Sequence, residues 1–473
     1  MLRERATHKQ EGYEVVLLEE LVPKDHLVRG IAEAVDFSFI HDLCKDLYCP
    51  DNGRPAVEPE VLFKMLTIGY LFGIKSETRL AQEIECNVAY RWFLGLGLRD
   101  KVPNHATISI NRARRFRDNN IAEKIFDEIL RQAKQAGLVG GAIAYTDSTH
   151  IKAKANKHKK TLIQVEQTPK SYLAELDEQI ERDRAVLGKK AFDKDDDQQP
   201  PMTQRMQSKT DPDSGQLSKE GKPEGFHYSE HRTVDSKHNI IINSYVTAGN
   251  MHDTVPLPQI LEQIVRRLGA KPKYMGLDAG YHYANCAWLL YKEGIQPVIG
   301  YRRHTYKTPY YGKWRFRYDF DQDVYLCPEK KPLYWKTTNR EGYREYYSDS
   351  KVCRNCPRRS ECFSAKANRR QVTQHVWQDW LDKATAFTKS PAGRAIYSWR
   401  KETIEPSFAE SKENHALRNA RMVGIANVSE QCFLTCAAQN MKKMAKAFFT
   451  LFSVFQSAFF NLAFPSIWKT HAV

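Results

Sequence analysis

Three acidic residues of this sequence are placed where their carboxylates could share metal ions. Asp147 and Asp278 each end a short apolar run that is typical of a buried strand. The carboxyl ends of strands in an open sheet are where ligands usually bind, because the loops there converge. Glu405 lies much later in the chain, in a segment with helical spacing. We interpret Asp147, Asp278 and Glu405 as candidate catalytic residues and candidate metal ligands.

The chemistry of such a group follows from its charge. Three carboxylates that are brought together repel one another unless divalent cations neutralise them. Oxygen ligands with few histidines select Mg²⁺ or Mn²⁺ over zinc, and two such ions can activate a nucleophile and stabilise the leaving oxygen of a phosphodiester. For each acid alone the alternative is a turn residue, since Asp is common where strands end. The joint placement of the three favours a two-metal site.

The segment 397–412 surrounds its glutamate with positive charge. At 100° per residue, Lys401, Glu405 and Lys412 share one face of a predicted helix. An acid flanked by cations and an aromatic residue suits the joint binding of a metal and a phosphate chain. The alternative is a solvated helix with surface ion pairs, and Pro406 also favours a kink or a helix start. The candidate phosphate-binding residues of this segment are Tyr397, Arg400, Lys401 and Lys412.

Composition restricts the class of protein. The chain has 473 residues, 41% of them hydrophobic and 27% charged, which is typical of a soluble protein with two or more domains. A formal net charge of +15 favours a polyanionic partner. The N-terminus lacks the apolar core of a signal peptide, so the ten cysteines indicate a reducing, cytoplasmic compartment. The apolar C-terminal tail, 447–473, carries polar residues and predicts a docking helix rather than a membrane span.

Residues 1–138 predict an all-α N-terminal domain. Helix starts are expected at Pro59, at Ser76 and near Asn104, and the helix that begins after Asn104 is rich in arginine. Short helices in series with a basic last helix resemble a helix-turn-helix that places this helix on DNA. The alternative is a structural domain with a basic surface. The candidate DNA-binding residues of this domain are Arg112, Arg114 and Arg115.

An α/β core follows, in residues 139–300 and 391–446. Its pattern is strand, hairpin, strand, helix, strand, helix and strand, which predicts a mixed sheet with helices on its faces. The first insertion, 152–224, is polar and predicts one helix, with loop or disorder elsewhere.

The second insertion, 301–390, is aromatic, basic and rich in thiols. Its interleaved aromatic and basic residues suit contact with unpaired or distorted DNA. A C-x2-C pair and two further thiols could form a tetrahedral structural zinc site. The C-x5-C spacing is looser than in a standard knuckle, so reduced bystander thiols are the alternative. The candidate zinc ligands are Cys327, Cys353, Cys356 and Cys362.

Several motifs occur together in a recognisable order. They are Gly53-Arg54-Pro55, Tyr145–Thr149, Thr210–Ser214, Gly249–Asp253, Leu277–Tyr281 and Tyr397–Lys412. With them the sequence resembles the DDE transposases of bacterial insertion sequences, in the broad IS-four/IS-five group.

The last motif is similar to that family's Y-x2-R-x3-E-x6-K signature. Tyr397-x2-Arg400 and Glu405-x6-Lys412 fit, whereas Arg400 lies one residue too far from Glu405. Lys401 has the expected spacing to the glutamate instead. Glu402 and Glu410 remain alternatives for the third acid.

The resemblance implies a ribonuclease-H-like catalytic core that both insertions interrupt. It implies metal-dependent cleavage at transposon ends and strand transfer into target DNA, with Asp147, Asp278 and Glu405 holding two Mg²⁺ or Mn²⁺ ions. His252 and Asp253 would lie near the metals behind their direct ligands, although Asp253 could equally cap a helix.

The implied partners are double-stranded DNA, at transposon ends and target sites, and further copies of the chain in a homodimer or larger assembly. A cytoplasmic protein at the bacterial nucleoid is expected, with no membrane. The alternatives are an inactive DNA-end-binding protein and a ribonuclease-H-like nuclease that does not join strands.

Overall fold

The computed structural model describes residues 15–49, 51, 56–116, 119–166, 173–192, 202–218, 224–301 and 309–463. The motif Gly53-Arg54-Pro55 and the end of the tail, 464–473, lie outside the described residues.

The N-terminal part consists of short helices whose starts follow the predicted signals. Pro59 occupies the first turn of one helix, where its missing N–H leaves no carbonyl unpaired. The Ser76 and Asn104 side chains cap two others by accepting the backbone N–H groups of Arg79 and Ala106. The helices are α1 Leu18–Leu21, α2 Leu27–Ala34, α3 Phe39–Cys44, α4 Pro59–Leu71, α5 Glu77–Cys86, α6 Val88–Phe93, α7 His105–Asn111 and α8 Ile121–Gln135.

A mixed sheet forms the centre of the molecule, in the predicted order of elements. The elements of this part are β1 Ile143–Lys152, β2 Lys160–Glu166, α9 Leu173–Val186, β3 Met202–Ser208, β4 Gly215–Leu217, β5 Gly225–Asp235, β6 Ile241–Ala248, α10 Leu257–Leu268, β7 Tyr274–Leu277, α11 Ala284–Lys292 and β8 Gln296–Ile299. The strand order is β4-β5-β1-β7-β8, and β6 also pairs with β5. β1 is antiparallel to β5 and parallel to β7, so it lies between the two kinds of pairing.

The first insertion contains more structure than its composition predicts. The expected helix is α9, but β2 and β3 also pair as an antiparallel ribbon from Lys160↔Ser208 to Glu166↔Met202. The prediction of loop or disorder was therefore wrong for these two strands. The acidic run inside the insertion, 195–197, lies outside the described residues.

The second insertion folds around a five-stranded antiparallel sheet of its own. Its elements are β9 Arg317–Asp319, β10 Val324–Leu326, β11 Pro332–Thr338, β12 Tyr343–Ser348, α12 Ser350–Arg354, α13 Arg359–Cys362 and β13 Gln371–His375. Arg344 of β12 binds Asp183 of α9 at 2.6 Å, so the two insertions pack against each other. The buried core of this sheet is small: Phe316, Tyr325, Leu333, Tyr346 and Val372.

Four helices complete the chain, namely α14 Gln378–Lys389, α15 Pro391–Ser398, α16 Arg400–Glu413 and α17 Ile425–Ala463. α16 lies across β1 and β5, while α17 packs against β6 and against α2, α4 and α8. The Asn440 side-chain amide of α17 bonds both the N–H and the C=O of Ile241, each at 2.8 Å, as a neighbouring strand would. None of the helices in the described residues has an apolar stretch of the length that a bilayer requires.

Candidate active site

The parallel ladder between β1 and β7 places two of the predicted acids side by side. Its last pair is Thr146↔Leu277, so Asp147 and Asp278 follow at the same level of the sheet. Asp278 ends its strand as predicted, and its carboxylate accepts the N–H of Gly280 at 2.9 Å. Asp147 does not end its strand, because β1 continues to Lys152 along its antiparallel partner β5.

The environment of the two aspartates favours their protonated forms. Burial and, to a smaller extent, the charge of Asp278 raise the pKa of Asp147, and Arg400 lowers it. The resulting pKa of Asp147 is about 6. Burial likewise raises the pKa of Asp278, and Arg400 opposes that shift. Negative charge is therefore crowded into a partly buried site, where a cation is stabilised.

Arg400 is a cation in direct contact with this pair. Its Nη2 donates to Asp147 Oδ2 at 2.6 Å, and its side chain is only 8% exposed. The guanidinium also lies over the Tyr397 ring, 5.5 Å from the centroid. Arg400 thus faces the carboxylates instead of solvent, which differs from the predicted contact with DNA.

Helices α15 and α16 are fixed over β1 by polar contacts. The Tyr145 hydroxyl of β1 donates to the Ile396 carbonyl at 2.9 Å, at the end of α15. Gly276 of β7 leaves room for the Tyr145 ring, because a Cβ at that position would overlap it. These contacts set where α16 begins, and hence where Arg400 lies.

A buried ion pair fixes the next turns of α16. Arg232 is the cross-strand partner of Asp147 and is fully buried with Glu230, which it bonds through two nitrogens. Its third nitrogen donates to the side chains of Ser407 and Ser411, at 2.8 Å each. Those serines lie about two and three turns after Arg400, on the same helical face. The sequence analysis missed this pair, although the Glu-x-Arg spacing places both side chains on one face of a strand.

Pro406 lies inside α16 without ending the helix. A proline at this position leaves the Glu402 carbonyl without its helical N–H donor. The Asn239 side chain, in the turn between β5 and β6, donates to that carbonyl at 3.0 Å. The turn between β5 and β6 therefore supplies the hydrogen bond to the Glu402 carbonyl that the proline cannot donate.

The third predicted acid is on the outer side of α16. Glu405 and Lys401 are exposed and Lys412 is partly exposed, which agrees with the predicted shared face. Glu405 points ~140° away from Arg400 around the helix and lies ~7.5 Å further along its axis. Of the alternatives, Glu402 is exposed, whereas Glu410 is held by Lys442 at 2.6 Å. His415, whose Nε2 lies 3.7 Å from the Glu410 carboxylate, and Lys442 lower the pKa of Glu410 to about 2, so the charge of this carboxylate is already compensated.

Asp253 acts electrostatically on the aspartate pair. Its charge raises the pKa of both Asp147 and Asp278. Its carboxylate is also 3.8 Å from Nδ1 of His231, a fully buried residue whose Nδ1 has no hydrogen-bond partner. His252, by contrast, is exposed and bonds Thr254. His231 carried no sequence signal, because a lone histidine in a strand is usually a core residue.

The predicted DNA-binding arginines of the helical part have different environments. Arg112 is buried in ion pairs with Glu77 and Glu430, at 2.6 and 2.9 Å. Arg115 donates to the Leu47 carbonyl and is partly buried. Arg114 is the exposed member of the three.

The four predicted zinc thiols line one cavity of about 170 Å³ in the second insertion. Among the described residues, however, no three His, Cys, Asp or Glu side chains are arranged to hold a metal ion as they stand. The donor set at Asp147 and Asp278 still fits a hard divalent cation, since both offer carboxylate oxygens in a site where negative charge raises their pKa values. Glu405 is not brought into that group.

Two family profiles match the chain. The profile described as a transposase domain (DUF772) matches residues 16–114, and that described as a transposase DDE domain matches residues 326–445. The second match includes α16 and the four thiols, while Asp147 and Asp278 lie outside both matches.

No curated protein matches the chain. Among solved structures, the cryo-EM structure of the piggyBac transposase synaptic complex with hairpin DNA is similar over 89% of this chain and 78% of that chain, at 10% identity and a TM-score of 0.32. That likeness is too low to support a conclusion. The chain therefore contains two transposase domains, the second of them of the DDE type, and its function is that of a DNA transposase.

Proposed function

We propose that this transposase cleaves phosphodiester bonds at transposon ends and joins the resulting 3′-hydroxyl to target DNA, in the manner of the insertion-sequence group with a Y-R-E-K signature. The observation that carries the proposal is the adjacent placement of Asp147 and Asp278 by the β1–β7 ladder, beside the helix that bears Glu405. The mixed sheet around β1 would be a ribonuclease-H-like core, and the helices of residues 15–136 would form a DNA-binding domain.

Asp147, Asp278 and Glu405 would hold Mg²⁺ or Mn²⁺, two ions in all, which would supply charge neutralisation at the reacting phosphate. The Y-R-E-K signature supports Glu405 as the third acid, while its side chain is exposed on the outer side of the helix whose first residue contacts Asp147. Arg400 keeps Asp147 ionised by compensating its charge. Asp253 adds negative charge behind the pair and would orient or attract the ions without binding them directly.

The DNA backbone would be bound by the exposed basic residues of the same region. Lys401 lies next to Arg400 and is exposed, and Arg114 is exposed on the helical part. Tyr397 and Lys412 remain proposed contacts on the basis of the signature. A net charge of +15 suits such a surface. We expect the protein to act in the cytoplasm at the nucleoid, as a homodimer or larger assembly on DNA.

A strand-transfer assay with labelled end DNA tests the proposal. Wild-type protein with Mg²⁺ should give nicks and then joined product, and Asp278→Asn should bind ends with unchanged affinity yet give neither. Nicks without joined product would indicate a nuclease instead, and binding without nicks would indicate an inactive end-binding protein.

A matched control separates loss of chemistry from loss of folding. Asp213→Asn changes a carboxylate that accepts the N–H of Ile425 at 3.0 Å and is not among the proposed metal ligands. It should nick and join at the wild-type rate. Wild-type activity in Asp278→Asn would remove this residue from the proposed site.

A further inference from the structure

The second insertion contains a cluster of thiols that the transposase chemistry does not use. Cys327 follows β10, Cys353 lies in α12, and Cys356 and Cys362 follow within nine residues of Cys353. All four are partly buried and line the same cavity. Cys327 precedes the other three by more than twenty residues, so folding brings together residues that are far apart in sequence.

The turn after Cys327 directs a backbone N–H at the Cys327 sulfur. The backbone N–H of Lys331 donates to Cys327 Sγ at 3.4 Å, and the backbone N–H of Cys327 donates to the Lys331 carbonyl at 2.9 Å. Lys330 takes a positive φ of 57° to close the turn. A backbone N–H directed at sulfur stabilises a thiolate, which is the form that binds a metal.

The surroundings of the cavity suit a negatively charged metal–thiolate group. Arg358, Arg359 and Arg370 all line it, and Arg370 also donates to the Cys362 carbonyl at 2.9 Å. Of the two acids in the lining, Glu329 is bound to Arg358 at 2.7 Å, and Asp349 accepts the N–H of Lys351 at 2.8 Å. A divalent ion with four thiolates carries two negative charges, which these guanidiniums would compensate.

The fold around the cavity also needs an additional cross-link. Five strands share a buried core of only five side chains, and Cys327 and Cys362 pack against its edge. Small units with cores of this size are commonly stabilised by disulfides or a metal. Disulfides are disfavoured in a reducing compartment.

We propose that Cys327, Cys353, Cys356 and Cys362 bind one structural zinc ion that cross-links the second insertion. Each thiol loses its proton to solvent as its sulfur turns toward the ion, because the sulfurs are not grouped for ligation as they stand. The four thiols are separate from the proposed catalytic aspartates, so the presence of zinc can be tested independently of the proposed function.

Elemental analysis of the purified full-length chain tests the proposal. Wild type and Asp278→Asn should each contain about one zinc per chain, and Cys356→Ser should contain less than about a tenth of that. Cys86→Ser is the matched control, since Cys86 is exposed on α5, and it should keep its zinc. Zinc-free wild type, a different metal on the same thiols, or full zinc in Cys356→Ser would overturn the proposal.

Thiol accessibility gives a second measurement that does not depend on a variant that folds. In wild type a thiol reagent should modify the exposed Cys49 and Cys86 at once and reach the four cavity thiols only after a chelator is added. Mass spectrometry of the modified peptides identifies each site. Cavity thiols that react equally fast with and without chelator, or that are joined in disulfides, would exclude a bound ion.

Discussion

Arg400 Nη2 and Asp147 Oδ2 are 2.6 Å apart, and this contact joins the start of α16 to the middle of the central strand. It places the buried arginine against the carboxylates, while its neighbour Lys401 is exposed and is our proposed contact with DNA. The two cations are adjacent in sequence but differ in burial, and the spacing of the signature alone could not separate them.

Substitution of each cation should therefore have a different effect. Lys401→Gln should lower the slope of log affinity against log salt by about 1, because one phosphate contact is lost. Arg400→Gln should leave that slope unchanged and abolish nicking, since Asp147 loses the charge that keeps it ionised. Fluorescence anisotropy with end DNA at several salt concentrations measures both. A changed slope in Arg400→Gln with an unchanged one in Lys401→Gln would reverse the assignment.

The third acid can be identified by comparing four carboxylates. Glu405→Gln should abolish single-turnover nicking while end binding persists. Asp253→Asn should slow nicking by about 10–100-fold, as loss of a group behind a metal ligand does. Glu402→Gln should have no effect, and Glu410→Gln should lower stability only, because its partner is Lys442. Nicking by Glu405→Gln at the wild-type rate would exclude Glu405 as the third acid. A complete loss of nicking in Asp253→Asn would identify Asp253 as the third acid instead.

Acid should destabilise the protein through His231. Burial lowers the pKa of this histidine from 6.5 to about 4, so between those values the unfolded chain binds one more proton than the folded one. Stability from the neutral ring is fully present above pH 6.5 and is lost as the pH falls through about 4. Wild type should therefore lose about 3 kcal/mol more than His231→Gln between pH 7 and pH 4. Urea unfolding at both pH values measures this, with the exposed His238→Gln as a control that should match wild type.

The buried pair of Arg232 and Glu230 should be costly to break on one side. Arg232→Met leaves Glu230 as an uncompensated buried charge and should destabilise the protein by about 3–5 kcal/mol. The double variant Arg232→Met/Glu230→Met should recover much of that loss, because no buried charge is left unpaired. Thermal unfolding of the two variants provides the comparison. Equal Tm values would show that Glu230 does not depend on its partner.

The sequence predicted the parts of this fold that depend on local pattern. The caps at Ser76 and Asn104 and the exposed face of Lys401 and Glu405 are examples, since each depends on spacing within one helix. The adjacency of Asp147 and Asp278 followed from one rule about strand ends, even though β1 extends beyond its aspartate.

The parts that were missed depend on pairing between distant segments. β2 and β3 are separated by α9 and by polar segments, and their composition indicated a loop. They form strands because they pair with each other, which composition does not predict. Arginine is a residue type found mostly at protein surfaces. The burial of Arg232 is stable because Glu230 and two serines of a helix much later in the chain accept its hydrogen bonds.

Helix α17 is a single 39-residue rod that contacts both the N-terminal helices and the central sheet. Its Phe433 packs on Phe126 of α8, and its Asn440 replaces a strand beside Ile241. A gene copy interrupted before Ile425 would thus encode neither the N-terminal helices nor the central sheet in a folded form. Decayed copies of such an element should be cleared by proteolysis and should not persist as competitors for transposon ends.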